Sequence, residues 1–155
     1  MDHHYHTAIE WTGNKGAGTT GYTDYERSHV VRVENKVPLD ASSDPHFRGD
    51  ATKHNPEDLF LASIASCHML WYLHLCADQG IIVTAYIDKA YGLMQTAANG
   101  SGQFRKIVMH PEVTVAEEQM KDQAHRLHHQ AHEMCFLSNS VNFEIVIEPQ
   151  INILQ

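Results

Sequence analysis

Apolar positions fall into one long dense run and several short alternating ones. Between Asn55 and Gly80, Leu59, Phe60, Leu61, Ile64, Met69, Leu70, Trp71, Leu73 and Leu75 occur on nearly every helical face. A helix that is apolar nearly all round is covered by the rest of its fold, so this pattern predicts a buried central helix. Both ends are marked. Asn55 suits the N-cap, Pro56 suits the first helical position, and Glu57 and Asp58 sit where the helix dipole favours anions. Gly80 is the natural stop. At about 1.5 Å per residue the element would run roughly 35 Å.

Elsewhere the period is two. Thr7, Ile9 and Trp11 alternate, and Tyr22 to Val33 reads as a strand ending in Val30, Val31 and Val33. Lys36 to Leu39 is a further short strand, and 40–54 is a polar loop with Pro45 and Gly49. Ile81 to Met94 is rich in β-branched and aromatic residues. Phe104 to Met109 and Val113 to Val115 resume the strand pattern around Pro111. Asn99, Gly100 and Gly102 mark a hairpin turn. A second helix covers roughly Glu117 to Met134, with Leu127 among its few large apolar residues. In the last strand Val141, Phe143, Ile145 and Ile147 alternate with Asn142, Glu144 and Glu148. The polar residues Asp2 to His6 read as a solvated terminus. Strands, long helix, strands, helix, strand is an α+β order. No internal repeat appears, and 1–155 reads as one domain.

Composition narrows the function. Apolar residues make up 43% and charged ones 19%, which suits a folded globular chain. Eleven Lys and Arg against nineteen Asp and Glu leave a formal charge of −8. That argues against the clustered basic surface that nucleic acid needs and against a polybasic membrane anchor. Ser63, Ser66, His68 and His74 make the long apolar run too polar for a membrane span. The start carries no basic stretch followed by an apolar segment, so no signal peptide is expected. Gly13, Gly16, Gly18 and Gly21 do not make a nucleotide loop, because no Gly-Lys-Ser/Thr ending follows and no helix opens on them. Three cysteines, an odd number, argue for a cytoplasmic chain with reduced thiols. No cofactor is expected.

The candidate chemistry lies in those cysteines. Cys67 and Cys76 are nine residues apart on the first helix, hence on opposite faces. Cys76, between Leu75 and Ala77, reads as a small buried hydrophobe. Cys67 is flanked by Ala62, Ser63, Ala65 and Ser66, small neighbours that admit a substrate or a tight helix crossing. It is mid-helix, so a reactive thiolate there needs a cation or donor from elsewhere in the chain. Cys135 ends the second helix before the turn-forming segment Phe136 to Ser140, a context that suits a mobile resolving thiol.

Thirteen histidines offer a second chemistry. His125/His129 and His128/His132 are i, i+4 pairs, a spacing able to chelate a transition metal. The same residues, among Gln123, Arg126 and Gln130, also read as a solvated helix face. Glu133 follows His132, but Leu137 stands where a zinc-protease helix needs its second histidine. Cys67 and His68, being adjacent, point in different directions, which disfavours a Cys/His hydrolase.

Two stretches resemble a known family. Asn55-Pro56-Glu57-Asp58-Leu59 with Ala62 and Cys67 resembles the helix-opening motif of the OsmC/Ohr family, the osmotically inducible and organic hydroperoxide resistance proteins. Ala131-His132-Glu133-Met134-Cys135, with Ser138 and Asn139, resembles its second cysteine segment. The similarity spans roughly His46 to Glu148. It implies an OsmC-like α+β fold: two mostly antiparallel sheets, the long central helix, the second Cys-bearing helix, and an intertwined homodimer with active sites at the subunit interface. It implies a cytoplasmic thiol peroxidase of oxidative stress defence that reduces organic hydroperoxides and is recycled by a thiol or dithiol reductant. Cofactor and metal are both absent from that scheme. By resemblance Cys67 is the peroxidatic thiolate and Cys135 the resolving thiol. Glu57 matches the glutamate that holds an arginine over the first sulfur. That arginine is Arg48 or, alternatively, Arg27. Phe60, Met69, Trp71 and Phe136 would line an apolar substrate pocket or pack in the core. Phe136 stands where the family commonly has proline, and Cys67 to Tyr72 is bulky, so the chain resembles a further OsmC-like branch. A non-catalytic OsmC-like protein that binds a small molecule or transition metal is the alternative.

Overall fold

The alternating runs become nine strands and the two helical runs become α-helices in a computed structural model describing residues 1–155. The chain divides into two compact units, Met1–Phe60 and Leu61–Gln155, and the division falls inside the long helix.

In the first unit β1 (Ala8–Trp11), β2 (His29–Arg32) and β3 (Leu39–Ala41) form an antiparallel sheet in that order. The strand expected over Tyr22 to Val33 is shorter than its pattern. Only its end pairs with β1, because the segment before it turns back on itself. There Trp11 Nε1 donates to the Glu26 carbonyl at 2.9 Å, and the Trp11 and Tyr25 rings meet edge-on. Gly13 permits this approach, since a Cβ there would lie 1.9 Å from the Glu26 carbonyl oxygen. The third strand begins at Leu39, where the Lys36 to Leu39 run was expected to end. The loop beyond it holds one 3₁₀ turn, Pro45–Phe47, capped by Arg48 in the left-handed region at φ 64°.

Helix α1 (Pro56–Asp78) starts where the caps predict. Asn55 Oδ1 accepts from the Asp58 N–H at 2.8 Å, and Asp58 Oδ2 accepts from the Asn55 N–H at 3.3 Å. This is a reciprocal capping box.

The second unit holds two mixed sheets. Strands β4 (Val83–Asp88), β7 (Pro111–Val115) and β9 (Gln150–Ile153) make one, with β4–β7 antiparallel and β7–β9 parallel. Strands β5 (Tyr91–Thr96), β6 (Gly102–Met109) and β8 (Glu144–Ile147) make the other, with β5–β6 antiparallel and β6–β8 parallel. The chain therefore has three small sheets, and the expected pair of mostly antiparallel ones is corrected on this point. The Ile81 to Met94 run breaks at Lys89 and Ala90 to serve both mixed sheets, which period-two patterning does not reveal. The turn at Asn99 and Gly100 closes the β5–β6 hairpin as expected, with the Ala97 N–H donating to the Ser101 carbonyl at 2.7 Å. Strand β9 lies beyond the last strand expected.

Helix α2 (Lys121–Met134) packs against this unit. Its core joins Tyr72, Leu75 and Cys76 of α1 to Val113 and Val115 of β7 and to Ala124, Leu127 and Ala131 of α2. Helix α1 is long and apolar enough to cross a membrane by length and composition. It serves instead as the core helix of this α+β fold. Only Ile64, His68, Tyr72, Leu75 and Cys76 are buried on it, a stripe at i, i+4 spacing. The expectation of burial all round is therefore met along one stripe. Leu70 on another face is 62% exposed.

Candidate functional site

Cys67 immediately precedes His68 of the buried stripe, which leaves its thiol half-buried at the stripe's edge. Cys135 caps α2 in an extended conformation (φ −70°, ψ 111°) and is fully buried. The segment after it folds back on the helix. The Ser138 N–H donates to Cys135 Sγ at 3.4 Å, the Asn139 N–H donates to the Cys135 carbonyl at 3.0 Å, and Asn139 Nδ2 donates to the Glu133 carbonyl at 3.0 Å. These bonds order a loop that turn-forming composition alone makes look mobile.

The two helices bring the two thiols together. Cys67 and Cys135 are near enough for each thiol to influence the other, and both are free thiols. The backbone N–H groups of Leu137 and Phe136 lie near enough to the Cys67 sulfur to favour its anion. Burial pushes the Cys67 thiol up, and the neighbouring Cys135 thiol adds to that rise. The two N–H donors oppose it, because they stabilise the anion. Phe136 supplies one of them because it is not a proline, which has no N–H. The sequence carried that signal only as a departure from a pattern.

Next to Cys67 the chain builds a ring stack. His68 Nε2 lies 3.0 Å from His128 Nδ1, and the His128 ring stacks on Tyr72 with centroids 3.9 Å apart. Tyr72 in turn donates its hydroxyl to the Ala124 carbonyl at 3.0 Å. Burial lowers His68 to about 4 and His128 to about 3, with neighbouring imidazoles adding to each shift. Both rings are therefore neutral near pH 7. In the sequence His68 is only an interruption in an apolar run. A polar residue on the face of Ile64, Tyr72 and Cys76 is the signal that could have marked it. His128 and His132 lie on α2 as the i, i+4 pattern requires, yet no three His, Cys, Asp or Glu side chains anywhere converge to hold a metal ion.

Of the apolar residues considered for a substrate pocket, Trp71 and Phe136 meet edge-on at 5.6 Å. Phe136 is 66% exposed, and Leu70, Trp71 and His74 line a surface cavity of about 220 Å³. Met69 is half-buried on α1.

The remaining three candidates belong to the first unit. Glu57 is half-buried in the first turn of α1. Arg48 is exposed at the end of its 3₁₀ turn. The Arg27 guanidinium is engaged locally. It donates to the Tyr25 and Tyr22 carbonyls, each at 2.7 Å, and lies over both tyrosine rings at 4.0 and 4.5 Å.

Comparison with known proteins is consistent with this arrangement. A family model described as OsmC-like protein matches residues 49–150. No curated protein sequence matches the chain. Among solved structures, an OsmC-like protein of unknown function from Vibrio cholerae is 29% identical, with a TM-score of 0.85 over 96% of this chain and 100% of that one. An organic hydroperoxide resistance protein from Elizabethkingia anophelis is 18% identical, with a TM-score of 0.68 over 99% of this chain and 100% of that one. The organic hydroperoxide resistance protein OhrB of Bacillus subtilis is 18% identical, with a TM-score of 0.63 over 96% and 98%. At 18% identity these last two share the fold.

Proposed function

The chain belongs to the OsmC-like protein family, and we propose on that premise that it is a thiol peroxidase reducing organic hydroperoxides to alcohols in cytoplasmic oxidative stress defence. The observation that carries this reading is the proximity of the free Cys67 and Cys135 thiols at the junction of α1 and the end of α2.

The chemistry takes two steps on the protein. The Cys67 thiolate attacks the distal oxygen of the hydroperoxide, the O–O bond breaks, and the alkoxide leaves as the alcohol after taking up a proton. Cys67 is left as a sulfenic acid. The Cys135 sulfur then attacks the Cys67 sulfur, a disulfide forms, and the oxygen departs as water. An external thiol or dithiol reduces the disulfide and restores both thiols. The Phe136 and Leu137 N–H groups stabilise the sulfur anion and the charge that develops beside it.

Those two donors do not fully offset burial, so the thiolate needs a cation as well. In this proposal Arg48 supplies it, held by Glu57 through a forked ion pair. Arg27 is the weaker choice, because its guanidinium is already taken up by two carbonyls and two rings. The reading treats 1–155 as one domain working as a homodimer. The half-covered faces of α1 support a dimer, because one chain alone leaves Leu70 and its neighbours open. Trp71 and Phe136 would line an apolar approach to Cys67 and favour hydroperoxides with a hydrocarbon body.

One observation favours the second reading, a non-catalytic OsmC-like binder: burial raises the Cys67 thiol. Coupled assays with cumene hydroperoxide and a dithiol separate the two. Turnover by the native chain and its loss in Cys67→Ser support the peroxidase. Turnover that survives in Cys67→Ser rules it out, and no turnover by the native chain favours the binder.

A further inference from the structure

One cavity takes no part in the thiol chemistry. It encloses about 540 Å³ between α2 and β8. The α2 wall carries Arg126 and four histidines, and the opposite wall is apolar, with Ile145 and Ile147 of β8. Its charge is one-sided. A guanidinium lines it and no carboxylate does, in a chain whose formal charge is −8. One of the four imidazoles, His129, is paired with Glu133 at 3.3 Å, and both are largely exposed.

The built element is His128. It is 3% exposed, stacked on Tyr72, and fixed through Nδ1 by His68, yet its Nε2 has no partner. His132 Nδ1, on the same wall, is also buried without a partner. Neutral His68 and His128 share one proton between His68 Nε2 and His128 Nδ1, so each ring has one further nitrogen, and one of those two nitrogens carries a proton. His68 Nδ1 is also buried without a partner. Either arrangement therefore leaves one buried N–H without an acceptor, a rare condition in folded proteins. His128 lines the cavity through which an acceptor can be brought.

We propose that this cavity binds a small organic carboxylate. One carboxylate oxygen accepts from His128 Nε2–H and the group pairs with Arg126, while the hydrocarbon body lies on Ile145 and Ile147. Binding selects the tautomer in which His68 donates to His128, and leaves only a bare lone pair on His68. A divalent metal fits less well, because the donors do not converge and the guanidinium repels it.

The test titrates the full chain with benzoate, and separately with benzyl alcohol and zinc(II), following imidazole ¹⁵N resonances and calorimetric heat. Benzoate should move the His128 Nε2 resonance saturably, and benzyl alcohol should bind at least about tenfold more weakly. Arg126→Gln, at an exposed position, should weaken benzoate about tenfold and leave the melting temperature unchanged. Absence of a benzoate effect, equal binding of the two aromatic probes, or stoichiometric zinc bound by His128 and His132 would each overturn the proposal. None of these readings depends on peroxide turnover, so this site and the peroxidase stand or fall separately.

Discussion

His68 Nε2 sits 3.0 Å from His128 Nδ1 across 60 residues of sequence. The bond clamps α1 to α2 one residue away from Cys67 and two turns before Cys135.

The clamp also makes stability depend on pH. Both histidines have folded values lowered to about 4 and about 3, below the ordinary 6.5. Between about pH 4 and 6.5 the unfolded chain binds more protons than the folded one, so stability falls as pH falls through that window. Above 6.5 this contribution is complete. The urea midpoint should be flat from pH 8 to 7 and drop by pH 5. The loss should be on the order of a few kcal/mol for the coupled pair by pH 4. His128→Phe, which keeps a ring against Tyr72, should flatten that dependence. A midpoint indifferent to acid in the native chain would contradict the buried neutral pair.

Phe136 offers a backbone experiment on the Cys67 sulfur. Cys135 already has the extended ψ of 111° that a following proline requires. Phe136→Pro should therefore fit, while deleting one N–H donor to Cys67. The thiol should titrate at higher pH, and its alkylation at pH 7 should slow several-fold. Phe136→Ala, which keeps the N–H, should leave the titration in place. Equal alkylation rates in the two variants would show that the donor is idle.

Arg48→Gln tests the cation. Loss of one charged donor to a developing anion costs about 100-fold in rate. The variant should lose that much in kcat/KM and shift its pH–rate profile toward alkali, whereas Arg27→Gln should retain most activity. The reverse pattern would move the role to Arg27.

The capping box fixes where α1 begins. Asn55→Ala removes the acceptor for the Asp58 N–H and should cost about 1 kcal/mol in chemical denaturation. A variant as stable as the native chain would mean that packing alone sets that helix start.

These residues also show how far the sequence could be read. Helix α1 was legible because its caps are local chemistry, and the hairpin at Gly100 was legible for the same reason. The two thiols were legible as a pair through their flanking motifs. The sheet count was not, because Lys89–Ala90 and His110 pass the chain between sheets with no break in β-forming composition. His68 was not legible either. Its partner lies 60 residues away, and a single imidazole in an apolar run does not say which ring it will meet. The N–H groups of Phe136 and Leu137 were invisible for a different reason. Every residue but proline carries one, and only the fold aims it.

The central claim is that Cys67 and Cys135 complete one redox cycle, and intact mass of the reduced chain after one equivalent of cumene hydroperoxide tests it most directly. A loss of about 2 Da, mapped by digestion to a Cys67–Cys135 bridge, is the result expected. Both thiols intact under excess hydroperoxide would contradict it.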